Sequence, residues 1–119
     1  MKIKYSVVIR LFGIGLSLFC APGHTTVAGV SGTLSNILAH DSSFGKCMIR
    51  SPTFVPTNNC PAEWVSLDCS GEFGSKADSS RLLDLSQMAF ALGTSVYVVI
   101  DDAKKHNGFC VAARVELTK

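Results

Sequence analysis

The chain has 119 residues, 47% of them hydrophobic and 17% charged, with a formal charge of +2. Three of its basic residues, Lys2, Lys4 and Arg10, lie ahead of an apolar run from Leu11 to Ala21, and residues 29–119 carry eight Lys and Arg against nine Asp and Glu. A net charge of −1 over that region excludes the basic stripe of a nucleic-acid binder and an electrostatic membrane-surface binder.

A basic start, a short apolar centre and the small residues around Thr26-Val27-Ala28 have the pattern of a secretory signal peptide over residues 1–28. The run is too short and too interrupted by glycine for a membrane span, which needs about 20 apolar residues. Bulky Phe19 directly before Cys20 argues against a lipidated cysteine. The expectation is a secreted or periplasmic protein whose single domain occupies residues 29–119. A domain of that size buries only roughly 60–65% of its unfolded surface and calls for covalent staples or oligomerisation. Cys47, Cys60, Cys69 and Cys110 remain after removal of the signal. An even count in a small exported chain reads as a disulfide framework. The spacings of 13, 9 and 41 residues contain no close pair of the kind zinc sites and thiol-redox sites use. Three pairings are open on spacing alone.

In chain order, Gly29 to His40 alternates loosely and reads as one strand with a bulge or bend near Ser35-Asn36. Asp41 to Gly45 is a turn. Lys46 to Arg50 sets Cys47 and Ile49 against Met48 and Arg50, a half-buried strand. Ser51 to Pro61 contains three prolines and two asparagines and reads as a loop. Trp64 to Cys69 is a third strand, with Val65, Leu67 and Cys69 on one face and Trp64, Ser66 and Asp68 on the other. A helix capped by Asp78 or Ser79 places Leu82, Leu85, Ala89 and Leu92 toward the core, and Gly93 ends it. Phe90 and Leu83 lie off that face and are candidates for contact with a second subunit. Thr94 to Ile100 is the strongest strand. Asp101 to Gly108 is a polar turn ending in the hairpin dipeptide Asn107-Gly108. Phe109 to Leu117 alternates, with Phe109, Val111, Ala113, Val115 and Leu117 inward and Cys110, Ala112, Arg114 and Glu116 outward.

Three strands, a helix and a two-strand hairpin make a mainly β (α+β) domain. The expected architecture is a five-stranded OB-fold-like Greek-key barrel with one helix between strands three and four. An open α+β sheet is the alternative reading of the same element string.

The segment Ser79 to Leu117, the strand Phe44-Gly45-Lys46-Cys47-Met48-Ile49, and Cys60 with Trp64 together resemble the OB-fold B (binding) subunits of AB-type bacterial toxins, of the subtilase and typhoid kind. The resemblance implies a lectin-like pentameric ring, a glycan or host surface ligand and a possible enzymatic A subunit. It transfers no sugar-binding residue. Trp64 to Cys69 and Asp101 to Gly108 also resemble segments of small uncharacterised secreted bacterial proteins, which imply no function. In a closed barrel the third and last strands are neighbours, and the expected bridges are then Cys47–Cys60 and Cys69–Cys110.

Residue types alone offer little catalysis. His40, Asp41, Ser42 and Ser43 include the members of a hydrolase triad, but triad partners converge from separated segments, and this run reads as a solvated turn. Asp101, Asp102 and His106 lack the calcium-loop pattern, and Lys104 and Lys105 repel a cation. The expectation is therefore no enzyme, no metal and no cofactor. Ligand contacts are expected from Asp41, Ser42 and Ser43 in one polar turn, Lys104, Lys105, His106 and Asn107 in the other, and Trp64 as an aromatic platform. The expected function is a non-enzymatic binding module that recognises a glycan or cell-surface ligand as a ring oligomer. The alternative is a monomeric, inhibitor-like domain that binds one protein partner.

Overall fold

The computed structural model describes residues 24–119. The expected signal segment, with Lys2, Lys4, Arg10 and Cys20, lies outside the described residues except at its end. The strands are β1 (Val27–Thr33), β2 (Asn36–Ala39), β3 (Cys47–Arg50), β4 (Trp64–Ser66), β5 (Ser95–His106) and β6 (Phe109–Thr118), with a 3-10 turn at Phe44–Lys46 and a helix α1 (Lys76–Leu92). β1 includes Val27 and Ala28, so a mature chain beginning at Gly29 would lack two of its residues.

All six strands form one sheet in the order β1-β5-β6-β4-β3-β2. Every neighbouring pair is antiparallel except β4 and β6, which meet in parallel at Ser66 and Val111. This corrects the expected five-stranded barrel. The run Gly29 to His40 is two strands, broken at Leu34-Ser35. β1 forms its ladder with β5, and β2 forms its ladder with β3. The two therefore stand at opposite ends of the strand order, and no ladder joins them to close a barrel. The break has a local cause: Leu34 turns into the core at 6% exposure, while the Ser35 N–H donates to the Arg50 carbonyl at 2.8 Å.

The core lies between the sheet and α1. Ile49, Phe54, Val65, Leu67, Val96, Val98 and Ile100 are its fully buried large side chains. Phe54 comes from the Pro-rich loop, which lies at the surface but sends this one ring inward as a plug. Asn58 fixes this loop by donating from Nδ2 to the carbonyls of Thr26 and Ile100.

α1 starts earlier than expected. Ser75 is its N-cap, accepting from the Asp78 N–H at 3.1 Å, and Gly93 ends it at φ 64°. That left-handed conformation suits glycine, and its N–H returns to the last turn. The helix also presents a different face. Ser79, Ser86 and Ala89 are the buried positions, with Leu82 and Leu83 half-buried against the core. Leu85 and Leu92, expected inward, point to solvent. The serines are satisfied locally: the Ser86 hydroxyl donates to the Leu82 carbonyl at 2.8 Å, and the Ser79 hydroxyl to the Asp68 carbonyl at 2.7 Å.

β5 runs through the expected turn as far as His106, and only Asn107-Gly108 make the reversal. Its pairing with β6 skips Ala113 and then residues 102–104. These irregularities override the clean alternation expected in β6: Cys110, Val111 and Ala112 are buried in succession, and Ala113 is exposed.

The bridges are Cys47–Cys69 and Cys60–Cys110, which corrects the expected pairing. The Leu67 N–H donates to the Cys47 carbonyl, which places the start of β3 beside the chain leaving β4. Cys110, turned inward by the irregular register, meets the loop that carries Cys60.

Candidate functional site

Two features meet where the β5–β6 turn packs against the 3-10 turn. One is a polar cluster beneath the surface and the other is an apolar pocket upon it.

The polar cluster centres on Asp68, just past the end of β4. Asp68 takes a left-handed conformation with φ 57°, which ends the strand and turns its carboxylate into the loop ahead. Oδ1 accepts from the Glu72 N–H and the Ser70 hydroxyl, both at 3.1 Å, and Oδ2 accepts from the Phe73 and Gly74 N–H groups, both at 3.0 Å. His106 Nε2 meets Oδ1 at 2.7 Å, while Nδ1 meets Glu72 Oε2 at 3.2 Å. Burial pushes the Asp68 carboxyl upward, but the hydrogen bonds from His106, Phe73, Gly74 and Ser70 outweigh it and hold the group below its ordinary value. The Phe73 ring packs edge-on against the imidazole at 5.0 Å.

This arrangement holds three segments together. Both imidazole nitrogens face carboxylates, so neither is turned toward a hydroxyl. The neighbouring serines are also engaged: Ser66 donates to the Phe44 carbonyl, Ser70 to Asp68 Oδ1 and Ser79 to the Asp68 carbonyl. A serine nucleophile with a base in reach is not assembled here.

Gly45 is the contact point between the cluster and the surface. Its φ is 66°, and a Cβ added there would lie 2.5 Å from both His106 Cδ2 and Ser66 Oγ. Gly45→Ala therefore combines backbone strain with a clash against the buried imidazole. It is expected to lower the unfolding free energy by about 2–4 kcal/mol, measured by urea titration.

Phe44, the residue before Gly45, reaches into the pocket, a cavity of about 210 Å³ lined by Leu38, Phe44, Met48, Trp64 and Phe109. The strand register explains it. Leu38 pairs with Met48, Met48 with Ser66 and Arg50 with Trp64, so these residues share the face opposite Ile49 and Val65. Phe44 and Phe109 close one side with ring centroids 6.0 Å apart. The Phe44 N–H donates to Asn107 Oδ1 at 2.7 Å, locking the hairpin tip to the 3-10 turn. On the other side Arg50 sits 6.0 Å over the Trp64 ring and forms an ion pair with Glu63.

The expected contact residues divide among these features. Asp41, Ser42 and Ser43 form the turn before Phe44. The Ser42 and Ser43 N–H groups both donate to His40 Nδ1. Asn107 joins this turn through Phe44, and Trp64 joins it across the pocket. Lys104, Lys105 and His106 turn elsewhere. Lys104 stands 3.8 Å from Asp101 at a second cavity of about 200 Å³ that also touches Asp78 and Leu82. Lys105 donates to the Asn59 carbonyl, and His106 is buried with Asp68. Among the described residues no group of three or more His, Cys, Asp and Glu side chains is placed to hold a metal ion. Sequence reasoning missed Leu38, Phe44, Met48 and Phe109, which come from four elements: β2, the 3-10 turn, β3 and β6. It also missed Asp68, whose alternation suggested an ordinary strand position.

No family model, curated protein or solved structure matches this chain. With the open sheet, that result overturns the resemblance to toxin B subunits. The OB-fold ring oligomer, the pentamer and the carbohydrate-binding role that rested on it are withdrawn.

Proposed function

We propose that this chain is an exported, non-catalytic binding domain whose apolar pocket receives one large apolar side chain of another protein. The carrying observation is the pocket itself, in which Leu38, Phe44, Met48, Trp64 and Phe109 surround about 210 Å³. Small-molecule sites usually enclose about 300–1,000 Å³ and bring several polar groups together on the ligand. This pocket is smaller, and its lining is almost wholly apolar. Three aromatic rings in one depression match the anchor pockets at the centre of protein interfaces. The pocket also rests on fixed elements, because the Phe44–Asn107 bond and the Arg50–Glu63 pair hold its two sides. Export is supported by the basic and apolar pattern of the first residues and by two bridges that need an oxidising compartment.

Panning a random peptide library displayed on phage against the immobilised domain tests the proposal. Enriched peptides are expected to share one aromatic or aliphatic anchor. Synthetic copies are expected to shift the fluorescence of Trp64, the chain's single tryptophan. Leu38→Glu places a charge at the pocket wall and is expected to weaken these peptides at least about tenfold. Leu38 is half-exposed in the free protein, so the melting temperature is expected to hold. Failure to enrich any peptide, or peptides that bind Leu38→Glu equally well, would reject the pocket as the binding site.

A further inference from the structure

The solvent face of α1 is unusual. Arg81, Leu85, Met88 and Leu92 follow one another at spacings of four, three and four, which places them on one line of the helix. Leu85 is 36% exposed, Met88 54% and Leu92 70%. The core-facing line of the same helix is made instead of Ser79, Ser86 and Ala89 with the leucines at 82 and 83. A helix lying on a sheet is expected to show the reverse, apolar inward and polar outward. Among the described residues nothing else covers this line.

We infer that a second copy of this chain covers it, with two α1 helices packed antiparallel about a two-fold axis. The spacing of the line is self-complementary. Positions 81 and 92, and positions 85 and 88, are symmetric about the same midpoint. An antiparallel pair centred there sets Leu85 against Met88 of the second copy, and Met88 against its Leu85. The same register sets Arg81 beside Leu92 at the C-terminal end of the opposing helix. The last turn of α1 carries no basic residue of its own. The Arg81 side chain is 79% exposed, with its own Asp78 at 3.4 Å as its ion-pair partner. A guanidinium at a helix C-terminus is favourable against the negative end of the helix dipole. Two-fold symmetry forms this contact twice, once at each end of a seam about 16 Å long. Asp78 and Asp84 flank the line and do not lie on it, so no carboxylate is trapped between the apolar residues. The arrangement closes at two copies, unlike a ring, and it leaves the pocket on the far side of the fold free.

Sedimentation velocity of the mature, disulfide-bonded protein tests this, run from micromolar to roughly millimolar concentration. The expected result is a monomer–dimer equilibrium with no larger species. Met88→Asp is expected to give a monomer throughout, with an unchanged melting temperature because the side chain is exposed in the monomer. Arg81→Glu is expected to weaken dimerisation about tenfold or more, and added salt to weaken the parent protein but not the Arg81→Glu variant in the same sense. Leu38→Glu, which disables the pocket, is expected to dimerise normally, so the two proposals fail separately. A protein that stays monomeric at the highest concentration would overturn the inference. So would a dimer that Met88→Asp leaves intact, or an assembly larger than two.

Discussion

Asp68→Ala is expected to lower the unfolding free energy by about 3–5 kcal/mol, enough to leave much of the protein unfolded at ordinary temperature. The side chain is almost fully buried and receives hydrogen bonds from Ser70, three backbone N–H groups and His106. Removing the carboxylate leaves those donors facing one another across a small cavity, each carrying its own desolvation cost. Asp68→Asn keeps one acceptor oxygen but points an amide N–H₂ at N–H donors, so a substantial part of the loss is expected to remain. The carboxyl is held below its ordinary value in the folded protein. Its contribution is therefore fully present above the unfolded value of about 3.9 and is lost as pH falls through the folded value. Urea titrations of the parent protein are expected to show stability falling steeply below about pH 4, and Asp68→Asn is expected to flatten that fall. A loss under about 1 kcal/mol for Asp68→Ala would show that the loop finds other partners.

Local features of the fold were legible in the sequence, and the relations between distant segments were not. The start of the strand expected at Thr94, the stop at Gly93 and the reversal at Asn107-Gly108 each depend on a few adjacent residues and stand within a residue or two of where they were expected, whereas that strand runs on to His106 through the segment expected as a turn. The helix was legible as a helix but not in its orientation. Hydrophobicity pointed Leu85 and Leu92 inward, whereas the sheet takes the serines at 79 and 86, whose hydroxyls are satisfied by carbonyls of their own or a neighbouring segment. Small side chains at those positions let the helix approach closely, and no periodicity of apolar residues signals that. The barrel failed for a similar reason. A single break at Leu34-Ser35 decides whether one strand or two leave the first segment, and the alternation on either side reads the same in both cases. The pocket was half legible: Trp64, Ser43 and Asn107 mark its surroundings, while Leu38, Met48 and Phe109 looked like ordinary strand residues. Only the register of β2, β3, β4 and β6 shows that they share the outer face.

The disulfides are expected to give the second large effect, and they test the fold most directly. Cys60–Cys110 closes a separation of 50 residues and Cys47–Cys69 one of 22. Loop-closure entropy assigns about 4 kcal/mol to the first and about 3 kcal/mol to the second. Their sum of about 7 kcal/mol is comparable with the whole stability of a domain this small, roughly 0.05–0.15 kcal/mol per residue. Fully reduced and alkylated protein is therefore expected to be unfolded by circular dichroism and near-ultraviolet fluorescence. The two bridges also act in different places. Cys60 lies in the loop that carries Phe54 into the core and Asn58 onto the carbonyls of Thr26 and Ile100, a loop with no strand or helix of its own. Paired replacement of Cys60 and Cys110 by serine is expected to release that loop, and with it the Phe54 plug, costing more than the entropy alone. Paired replacement of Cys47 and Cys69 leaves the β3–β4 ladder and the Asp68 cluster to hold the same two segments together, so its effect is expected to be the smaller of the two. Peptide mapping of the oxidised protein is expected to recover fragments joining Cys47 to Cys69 and Cys60 to Cys110. A fragment joining Cys47 to Cys60 would contradict the inward position of Cys110, and the irregular β5–β6 register that creates it would be wrong.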